Sequence, residues 1–348
     1  MKILVITHSY GLDGAAAILK STMKYWSQSM HWEIDALVND ANFNLHGAEL
    51  KGIGVNPIKG ANLASGYSCV LINTLIDLPY VHQFYGKLPI ILWAHEGNTF
   101  LQNYPHPPIE LIKGFLKASL TIFPTPWQPK TVFKSFLQHV PKEKIACIPY
   151  GIDISNSSQE DKKNPNQINI LTIGSVYPRK RQLDLANAVI NLSKKYLITC
   201  TFVGDLNNAN AYGPNFSKYL NQYPGTLIWT GGIKDRSALY DLISKADIGC
   251  FPSGDETFNI SAIEVASQGV PVILSDLPVY NEVGWKDGVN CLKFPVGSIE
   301  HLEECIELLA ADKILKAKIQ KSGNALSKKY DFNDFLKKLT MHVTKLTP

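Results

Sequence analysis

The stretch PSGDETFNISAIEVASQGVPVILSD, residues 252–276, places two glutamates, Glu256 and Glu264, eight residues apart among small and apolar residues. The Gly-Asp pair before Glu256 favours a turn, and the residues after it favour a helix that is apolar on most sides. The run VPVILSD that follows is typical of a strand buried in a parallel sheet. A helix between such strands indicates the βαβ units of an α/β fold.

Short apolar runs recur along the chain and alternate with helical patterns, and the polar stretch SNSSQEDKKNPNQ separates two series of them. We therefore expect two doubly wound Rossmann-like domains that face each other across a cleft. They would be an N-terminal domain 1–154, a linker 155–167, a C-terminal domain 168–328 and a helix 329–348 that could pack back on the N-terminal domain. The expected strands are 2–7, 69–74, 88–95, 120–125, 145–149, 168–175, 197–205, 226–231, 247–253, 270–276 and 291–295.

Composition excludes several classes of protein. The net charge of +4 is mild, and no basic stripe interleaved with aromatic residues indicates a nucleic-acid surface. The six cysteines are dispersed without metal-ligand spacing, which argues against a zinc site and for a reducing compartment. No apolar run approaches the roughly 20 residues that span a bilayer. The N-terminal stretch carries only five apolar residues before His8, which is too short a run for a signal peptide and is typical of a first strand. We expect a cytoplasmic protein.

The two glutamates could hold the two ends of one elongated ligand. Glu256 would lie in the loop before the helix and Glu264 about two turns into it. The helix N-terminus between them offers free N–H groups to an anion, so a ligand built as sugar, phosphate and ribose has a suitable shape. The alternatives are a helix-capping acid for Glu256 and a solvated helix face for Glu264.

The stretch resembles the donor-site signature of the family 4 retaining glycosyltransferases with the GT-B fold, which are also called glycosyl transferases group 1. The matching elements are Pro252-Ser253, the Glu-x7-Glu helix and the Gly269-Val-Pro-Val272 strand. Further similar segments are GSVYPRKRQLDL (174–185), FVGD (202–205), TGGIKD (230–235) and LISKADIGCFPS (242–253), and, more weakly, GLDGAAAIL (11–19), WAHEG (93–97) and IPYGID (148–153).

The resemblance implies an enzyme of glycan biosynthesis that transfers a hexose-type sugar, with retention, from a nucleoside-diphosphate sugar to a carbohydrate, lipid-linked or other acceptor. A UDP or GDP sugar would be the co-substrate, with no cofactor and no metal. It assigns Arg179 and Lys180 to the diphosphate, and two fixed cations can stabilise such a leaving group without a metal ion. The alternative is a solvated basic turn, although arginine is scarce here, with only Arg179, Arg181 and Arg236.

The other implied roles are these. Glu256 would hold hydroxyls of the transferred sugar and Glu264 the ribose hydroxyls, and His95 would contact the sugar unless it is a strand-end histidine bonded to backbone. Asn259 stands where the family usually has glycine, so its side chain would enter the sugar pocket. The remaining implied donor-binding residues are Gly11 and Gly14 facing the phosphates, Gly174 in the glycine loop, Gly232 and Ile233 near the base, and the backbone around Phe258, Ile260 and Ser261.

Partners and alternatives follow from the same resemblance. Basic and aromatic segments of the N-terminal half could contact an anionic membrane at its inner face, or they could be lysines lying over a core helix. A phosphorylase or a nucleotide-sugar epimerase could share this architecture. The non-enzyme alternative is an inactive subunit that binds a nucleotide sugar.

Overall fold

The computed structural model describes residues 1–11, 14–60, 66–153, 166–206 and 211–347. The chain folds into two compact units, one comprising Met1–Gly151 with the chain from Asn333 onwards and the other Ile152–Phe332. Of the expected linker, residues 155–165 lie outside the described residues, and Gln167 begins a strand.

Each unit is built on one parallel sheet. The seven strands of the first sheet lie in the order β3-β2-β1-β4-β5-β6-β7, and the six of the second in the order β10-β9-β8-β11-β12-β13. The strands are β1 (Lys2–Ile6), β2 (Glu33–Leu37), β3 (Asn56–Ile58), β4 (Cys69–Asn73), β5 (Ile90–Trp93), β6 (Leu120–Phe123), β7 (Ile145–Cys147), β8 (Gln167–Ile173), β9 (Leu197–Val203), β10 (Leu227–Gly231), β11 (Ile248–Phe251), β12 (Val272–Ser275) and β13 (Leu292–Phe294).

Helices connect most of the strands, as in a doubly wound fold. They are α1 (Gly14–Gln28), α2 (Asp40–Gly52), α3 (Pro79–Phe84), α4 (Asn98–Gln102), α5 (Pro108–Lys117), α6 (Gln182–Leu192), α7 (Tyr212–Gln222), α8 (Arg236–Lys245), α9 (Ile260–Ser267), α10 (Pro278–Glu282), α11 (Ile299–Ala311), α12 (Lys313–Ser327) and α13 (Phe332–Leu346). Shorter helical turns cover Leu75–Asp77, Gln128–Val132, Lys142–Lys144 and Pro178–Lys180.

In both sheets the order in which the chain adds strands reverses at a switch point. This point lies between β1 and β4 in the first unit and between β8 and β11 in the second. Parallel sheets of this kind bind ligands outside the carboxyl ends of the strands at such a point. Every strand expected from the sequence is present, and so is the expected pair of Rossmann-like units.

Strands β2 and β3 were not among the expected strands. In β2 the apolar run is interrupted by Asp35, which is nevertheless buried. Its carboxylate accepts hydrogen bonds from the Tyr67 hydroxyl at 2.7 Å and the Asn56 amide at 2.9 Å, and Lys2 Nζ lies 3.3 Å away. A buried acid that is satisfied in this way is compatible with an inner strand.

The C-terminal helix α13 packs within the first unit. Trp26 donates its indole N–H to the Thr340 hydroxyl at 2.8 Å, and Phe335 stacks on Trp93 with ring centroids 6.0 Å apart. Buried aromatic rings contribute large apolar areas, so these contacts attach the end of the chain to the N-terminal sheet.

In the second unit, helix α9 lies unusually close to β11. A Cβ atom added to Gly249 of β11 would come within 2.5 Å of Val265 Cγ1 on α9. Only glycine allows this approach, which places the Glu-x7-Glu segment at the switch point of the sheet.

Candidate functional site

The loop after β8 presents the basic pair. Gly174 follows the strand, and a single helical turn over Pro178–Lys180 carries Arg179 and Lys180. The amide of Gln182 on α6 donates to the Ser175 carbonyl at 2.9 Å, which ties this loop to the helix that follows it. The aliphatic part of the Lys180 side chain lies against Gly174. A Cβ atom added to Gly174 would be 3.5 Å from Lys180 Cε.

The loop after β11 presents the first glutamate. The Ser253 hydroxyl donates to Glu256 Oε1 at 2.7 Å, and the Ser275 hydroxyl at the end of β12 donates to the Ser253 carbonyl. The Gly254 N–H donates to the Arg179 carbonyl at 2.7 Å, so the loops after β8 and β11 are bonded through their backbones.

The side chains of the two loops form one ionic cluster. Lys180 Nζ lies 2.6 Å from Glu256 Oε1, and Arg179 Nη1 lies 3.3 Å from Glu256 Oε2 and 2.9 Å from the Asp255 carbonyl. The exposed fraction rises from 6% for the Glu256 side chain to 19% for Lys180 and 35% for Arg179. The cations are therefore the part of the cluster that a ligand in solution can reach.

Burial and charge act in opposite directions on this cluster. Burial favours the neutral form of Glu256, but Lys180 and Arg179 outweigh it, so the pKa of Glu256 falls below its ordinary value. Burial is also the main reason that the pKa of Lys180 is lowered, while Glu256 works against that change and Arg179 adds to it. Lys180 is thus a partly desolvated ammonium that an added anion would stabilise.

Asn259 caps helix α9 from a left-handed conformation, with φ of 67°. Its side-chain oxygen accepts from the Ala262 N–H at 3.3 Å, and its amide donates to the Tyr280 hydroxyl at 2.9 Å. The side chain is buried in this helix cap with both of its polar atoms engaged, and a contact with the sugar stays a prediction. Asparagine tolerates the left-handed region better than most residues, so it can replace glycine here.

Phe258, Ile260 and Ser261 surround this helix start. Phe258 is buried with its ring edge-on to Tyr330, at 5.0 Å between centroids, whereas Ile260 and Ser261 are partly exposed in the first turn of α9. The helix begins at Ile260, so Glu264 lies only about one turn from its N-terminus, not two.

Glu264 is buried and paired with a residue that the sequence analysis did not place in the site. The guanidinium of Arg236, at the start of α8, donates to Glu264 Oε1. Burial raises the pKa of Glu264 above its ordinary value, although Arg236 opposes that rise. Gly232 and Ile233 are partly exposed and lie in the segment between β10 and α8 that leads to Arg236.

His95 follows β5 in the first unit. One ring nitrogen bonds the Tyr150 hydroxyl, and the other lies 2.7 Å from Asn73 Oδ1. Burial, with a smaller effect of His8, lowers the pKa of His95 to about 3. His95 is therefore a neutral imidazole with both ring nitrogens engaged, rather than a strand-end histidine bonded only to backbone.

The glycines predicted for the N-terminal loop are only partly described. The Gly11 N–H donates to Ser9 Oγ at 3.2 Å and Gly14 is the exposed first residue of α1, whereas residues 12 and 13 lie outside the described residues. Beside this loop, His8 Nδ1 lies 3.2 Å from Asp77 Oδ2 and 3.0 Å from Thr74 Oγ1. Sequence reasoning missed this cluster, although His8 and Thr74 follow the strands that flank the switch point.

Within the described parts of the chain, no three histidine, cysteine, aspartate or glutamate side chains converge as metal ligands. No helix in those parts has both the length and the apolar composition needed to cross a bilayer.

Residues 153–325 match the family model described as glycosyl transferases group 1. This segment, just under half of the chain, carries the domain of that family. The match covers the whole site of the second unit, from the basic pair to the Glu-x7-Glu helix, and the resemblance to the glycosyl transferases group 1 is confirmed.

Two curated relatives are similar to the chain. It is 27% identical over 220 residues to the processive diacylglycerol alpha-glucosyltransferase of Acholeplasma laidlawii, an alignment of 58% of this chain and 63% of that protein. It is 28% identical over 238 residues to Protein CapJ of Staphylococcus aureus, covering 65% of this chain and 54% of that protein. The chain thus spans less than two thirds of the length of these curated relatives.

A solved structure with the same fold is that of Anabaena Alr3699/HepE in complex with UDP and glucose. The TM-score is 0.79 at 18% identity, with 99% of this chain and 100% of that chain covered. This likeness confirms the predicted GT-B fold class.

Replacing Glu256 with Gln should destabilise the second unit by about 3 kcal/mol at pH 7, because it leaves Lys180 buried beside a neutral group. The matched control is Glu307→Gln in the exposed Lys195–Glu307 pair, at 3.4 Å, which should cost less than about 1 kcal/mol. Urea unfolding followed by fluorescence measures both changes.

The stability that Glu256 contributes to the second unit depends on pH in a definite direction. The folded pKa of Glu256 lies below the ordinary 4.5, so its stabilisation is fully present above that value and is lost as pH falls through the folded pKa. The difference between wild type and Glu256→Gln should therefore be constant from pH 7 to about 5 and shrink below it. If Glu256→Gln and Glu307→Gln lowered the free energy of unfolding equally at pH 7, the buried pairing of Glu256 with Lys180 would be contradicted.

Proposed function

We propose that the protein transfers a hexose-type sugar, with retention and without a metal ion, from a nucleoside-diphosphate sugar to an acceptor hydroxyl. The observation that carries the proposal is the ionic cluster of Arg179, Lys180 and Glu256 at the switch point of the second sheet. The match of residues 153–325 to the group 1 family model supports the same reaction class.

The cluster suits a diphosphate. Its two cations and one carboxylate leave a net charge of +1, and the more exposed members are the cations. The N-terminus of α9 lies in the same segment and supplies free N–H groups for a phosphate. Groups that are already oriented and partly desolvated stabilise developing charge more strongly than water does.

One role of Glu256 is to hold Lys180 and Arg179 in position. A carboxylate has about four lone-pair sites, and Lys180, Ser253 and Arg179 occupy three of them. The remaining site, on Oε2, is available to one hydroxyl of the transferred sugar. Glu256 would therefore both hold the cations in place and contact the sugar.

The reaction then requires little from the protein beyond position and charge. The bond between the anomeric carbon and the diphosphate oxygen breaks, and the two cations neutralise the leaving group. The acceptor oxygen bonds to the anomeric carbon on the face that the diphosphate leaves, and its proton passes to a departing phosphate oxygen. His95, which is neutral, would contact the sugar through its ring without adding charge.

For the donor we propose a UDP or GDP sugar, and UDP-glucose is the first compound to test. The Anabaena protein was solved in complex with UDP-glucose, with a TM-score of 0.78 to this chain, and the Acholeplasma relative is named a glucosyltransferase. We assign the ribose hydroxyls to Glu264, a buried carboxylate on α9 that could accept their hydrogen bonds.

The alternatives are separable by product. A phosphorylase would release sugar phosphate from a glycan in the presence of phosphate, and an epimerase would convert the donor without any acceptor. An inactive subunit would bind nucleoside diphosphate and neither hydrolyse nor transfer the sugar over a broad acceptor panel.

Converting Arg179 and Lys180 to alanine should lower kcat/KM for UDP-glucose at least about 100-fold, because stabilisation of the leaving group is lost. The assay contains excess EDTA, in which the wild type should remain active. The matched control is Arg181→Ala, since Arg181 pairs with Asp184 at 2.6 Å rather than with Glu256. Wild-type activity that EDTA abolishes and only Mg²⁺ or Mn²⁺ restores would contradict the metal-free reaction.

We also propose a lipid acceptor at an anionic membrane surface. Helix α5 exposes Ile109 and Leu116, and Lys117 from the same helix lies 5.3 Å from the ring of the exposed Tyr85. Apolar side chains flanked by lysines suit the interface of an anionic bilayer, and the name of the Acholeplasma relative refers to diacylglycerol.

Vesicle co-sedimentation tests this surface. Wild type should bind vesicles that contain phosphatidylglycerol more tightly than pure phosphatidylcholine vesicles, and Lys113→Glu with Lys117→Glu should remove most of the difference. Lys194→Glu with Lys195→Glu in the second unit is the charge-matched control. If the two double variants bind equally, the lipid surface is not on α5.

A further inference from the structure

The arginine that pairs with Glu264 is outside the segments assigned to diphosphate binding. Glu264 lies on α9 among Ile263, Val265 and Ala266, all of which are buried. An isolated carboxylate in such surroundings would be protonated or would require a cation. The Arg236 guanidinium meets that requirement by donating to Glu264 Oε1.

Arg236 is itself fixed in place. Its Nη2 donates to the Tyr240 hydroxyl at 2.8 Å, and its guanidinium carbon lies 5.0 Å from the centre of the Tyr240 ring. The Tyr240 hydroxyl donates in turn to the Asp153 carbonyl at 2.7 Å. Asp235 caps α8 by accepting from the Ser237 N–H at 2.9 Å, which fixes the helix end from which Arg236 projects.

The Arg236–Glu264 pair leaves hydrogen-bonding capacity for a ligand. The Glu264 side chain is 7% exposed and the Arg236 side chain 52%, so the guanidinium extends from a buried carboxylate to solvent. Arg236 occupies one of the roughly four lone-pair sites of the carboxylate, which leaves enough for two hydroxyl donors. Gly232 and Ile233, which we assign to the base, lie just before α8 in the chain.

We propose that Arg236 is a positioning residue for the nucleoside, which holds Glu264 as an oriented carboxylate so that it can accept both ribose hydroxyls. This inference rests on the proposed function, because it needs a nucleotide whose ribose binds Glu264. It makes nucleotide affinity depend on a residue that the diphosphate does not touch.

The charge environment of Glu264 makes the proposal testable by pH. Burial raises the pKa of Glu264, Arg236 lowers it, and the sum stays above the ordinary value. The other titratable group on the packed face of α8 is the Tyr240 phenol, whose pKa is raised to about 12, chiefly by burial. Strands β11 and β12 carry no charged residue, and the residues that α12 buries, Ile319, Gly323, Leu326 and Ser327, are uncharged.

Removing Arg236 should raise the pKa of Glu264 further, so that the carboxylate forms only at higher pH. A protonated carboxyl accepts hydrogen bonds from hydroxyls less well. UDP affinity should therefore become steeply pH-dependent in a variant that lacks the guanidinium, weak at low pH and recovering as pH rises through the new pKa.

The experiment is calorimetric titration of the full chain with UDP from pH 5.5 to 8.5, using wild type, Arg236→Gln and Arg236→Lys. We expect Arg236→Gln to bind UDP at least tenfold more weakly than wild type at pH 6 and within about threefold at pH 8.5, where the carboxylate re-forms. Arg236→Lys, which keeps the charge, should restore most of the affinity at pH 6. Arg181→Gln, which removes an arginine outside this pair, should follow the wild-type profile.

A second ligand separates positioning from a structural effect. With 2′,3′-dideoxyuridine diphosphate, which lacks both hydroxyls, wild type and Arg236→Gln should bind equally at every pH. Loss of UDP affinity that is uniform in pH, or equal for the dideoxy nucleotide, would overturn the proposal while leaving the proposed function intact. Wild type that binds no nucleoside diphosphate would overturn both.

If Arg236→Gln does not fold, Arg236→Lys together with carboxyl-carbon NMR of wild type keeps the proposal falsifiable. The carboxyl resonance lost in Glu264→Gln should titrate above the ordinary glutamate value in wild type, and UDP should lower its pKa by stabilising the carboxylate. A resonance that UDP leaves unchanged would overturn the proposal.

Discussion

The Glu256 carboxylate, held between Lys180 and Arg179, is the interaction on which the site in the second unit depends. It connects the loop after β8 with the loop after β11, which flank the switch point of the sheet. Removal of three charges from water is costly, and the arrangement is stable only because each charge meets another or a hydrogen-bond donor. The same cost keeps the two cations in place before any ligand arrives.

That constraint links the fold to the proposed chemistry. Gly249 lets α9 lie directly on β11, which brings the helix N-terminus and Glu264 into the segment that carries Glu256. Cations, helix N-terminus and carboxylates are therefore oriented by the backbone rather than by the ligand. Preorganised charge of this kind is what departure of a diphosphate requires.

Much of this could be predicted from the sequence. Apolar strands revealed the α/β class, and the Glu-x7-Glu spacing with the Arg-Lys pair revealed the family, because these are local patterns. The parts that were missed are long-range or conformational. Nothing near Glu264 in the chain indicates Arg236, which is 28 residues away. Strand β2 was not predicted because Asp35 interrupts its apolar run, and the partners that allow Asp35 to be buried lie elsewhere in the chain. The left-handed Asn259 was recognised as a departure from glycine, but its cap and its bond to Tyr280 appear only in three dimensions.

The most direct test of the account is a crystal structure of the chain with UDP bound. The account predicts diphosphate oxygens within about 3 Å of the Arg179 guanidinium and Lys180 Nζ, with the ribose hydroxyls on Glu264. A nucleotide bound elsewhere, with Arg179 and Lys180 still closed on Glu256 and directed away from its phosphates, would contradict it.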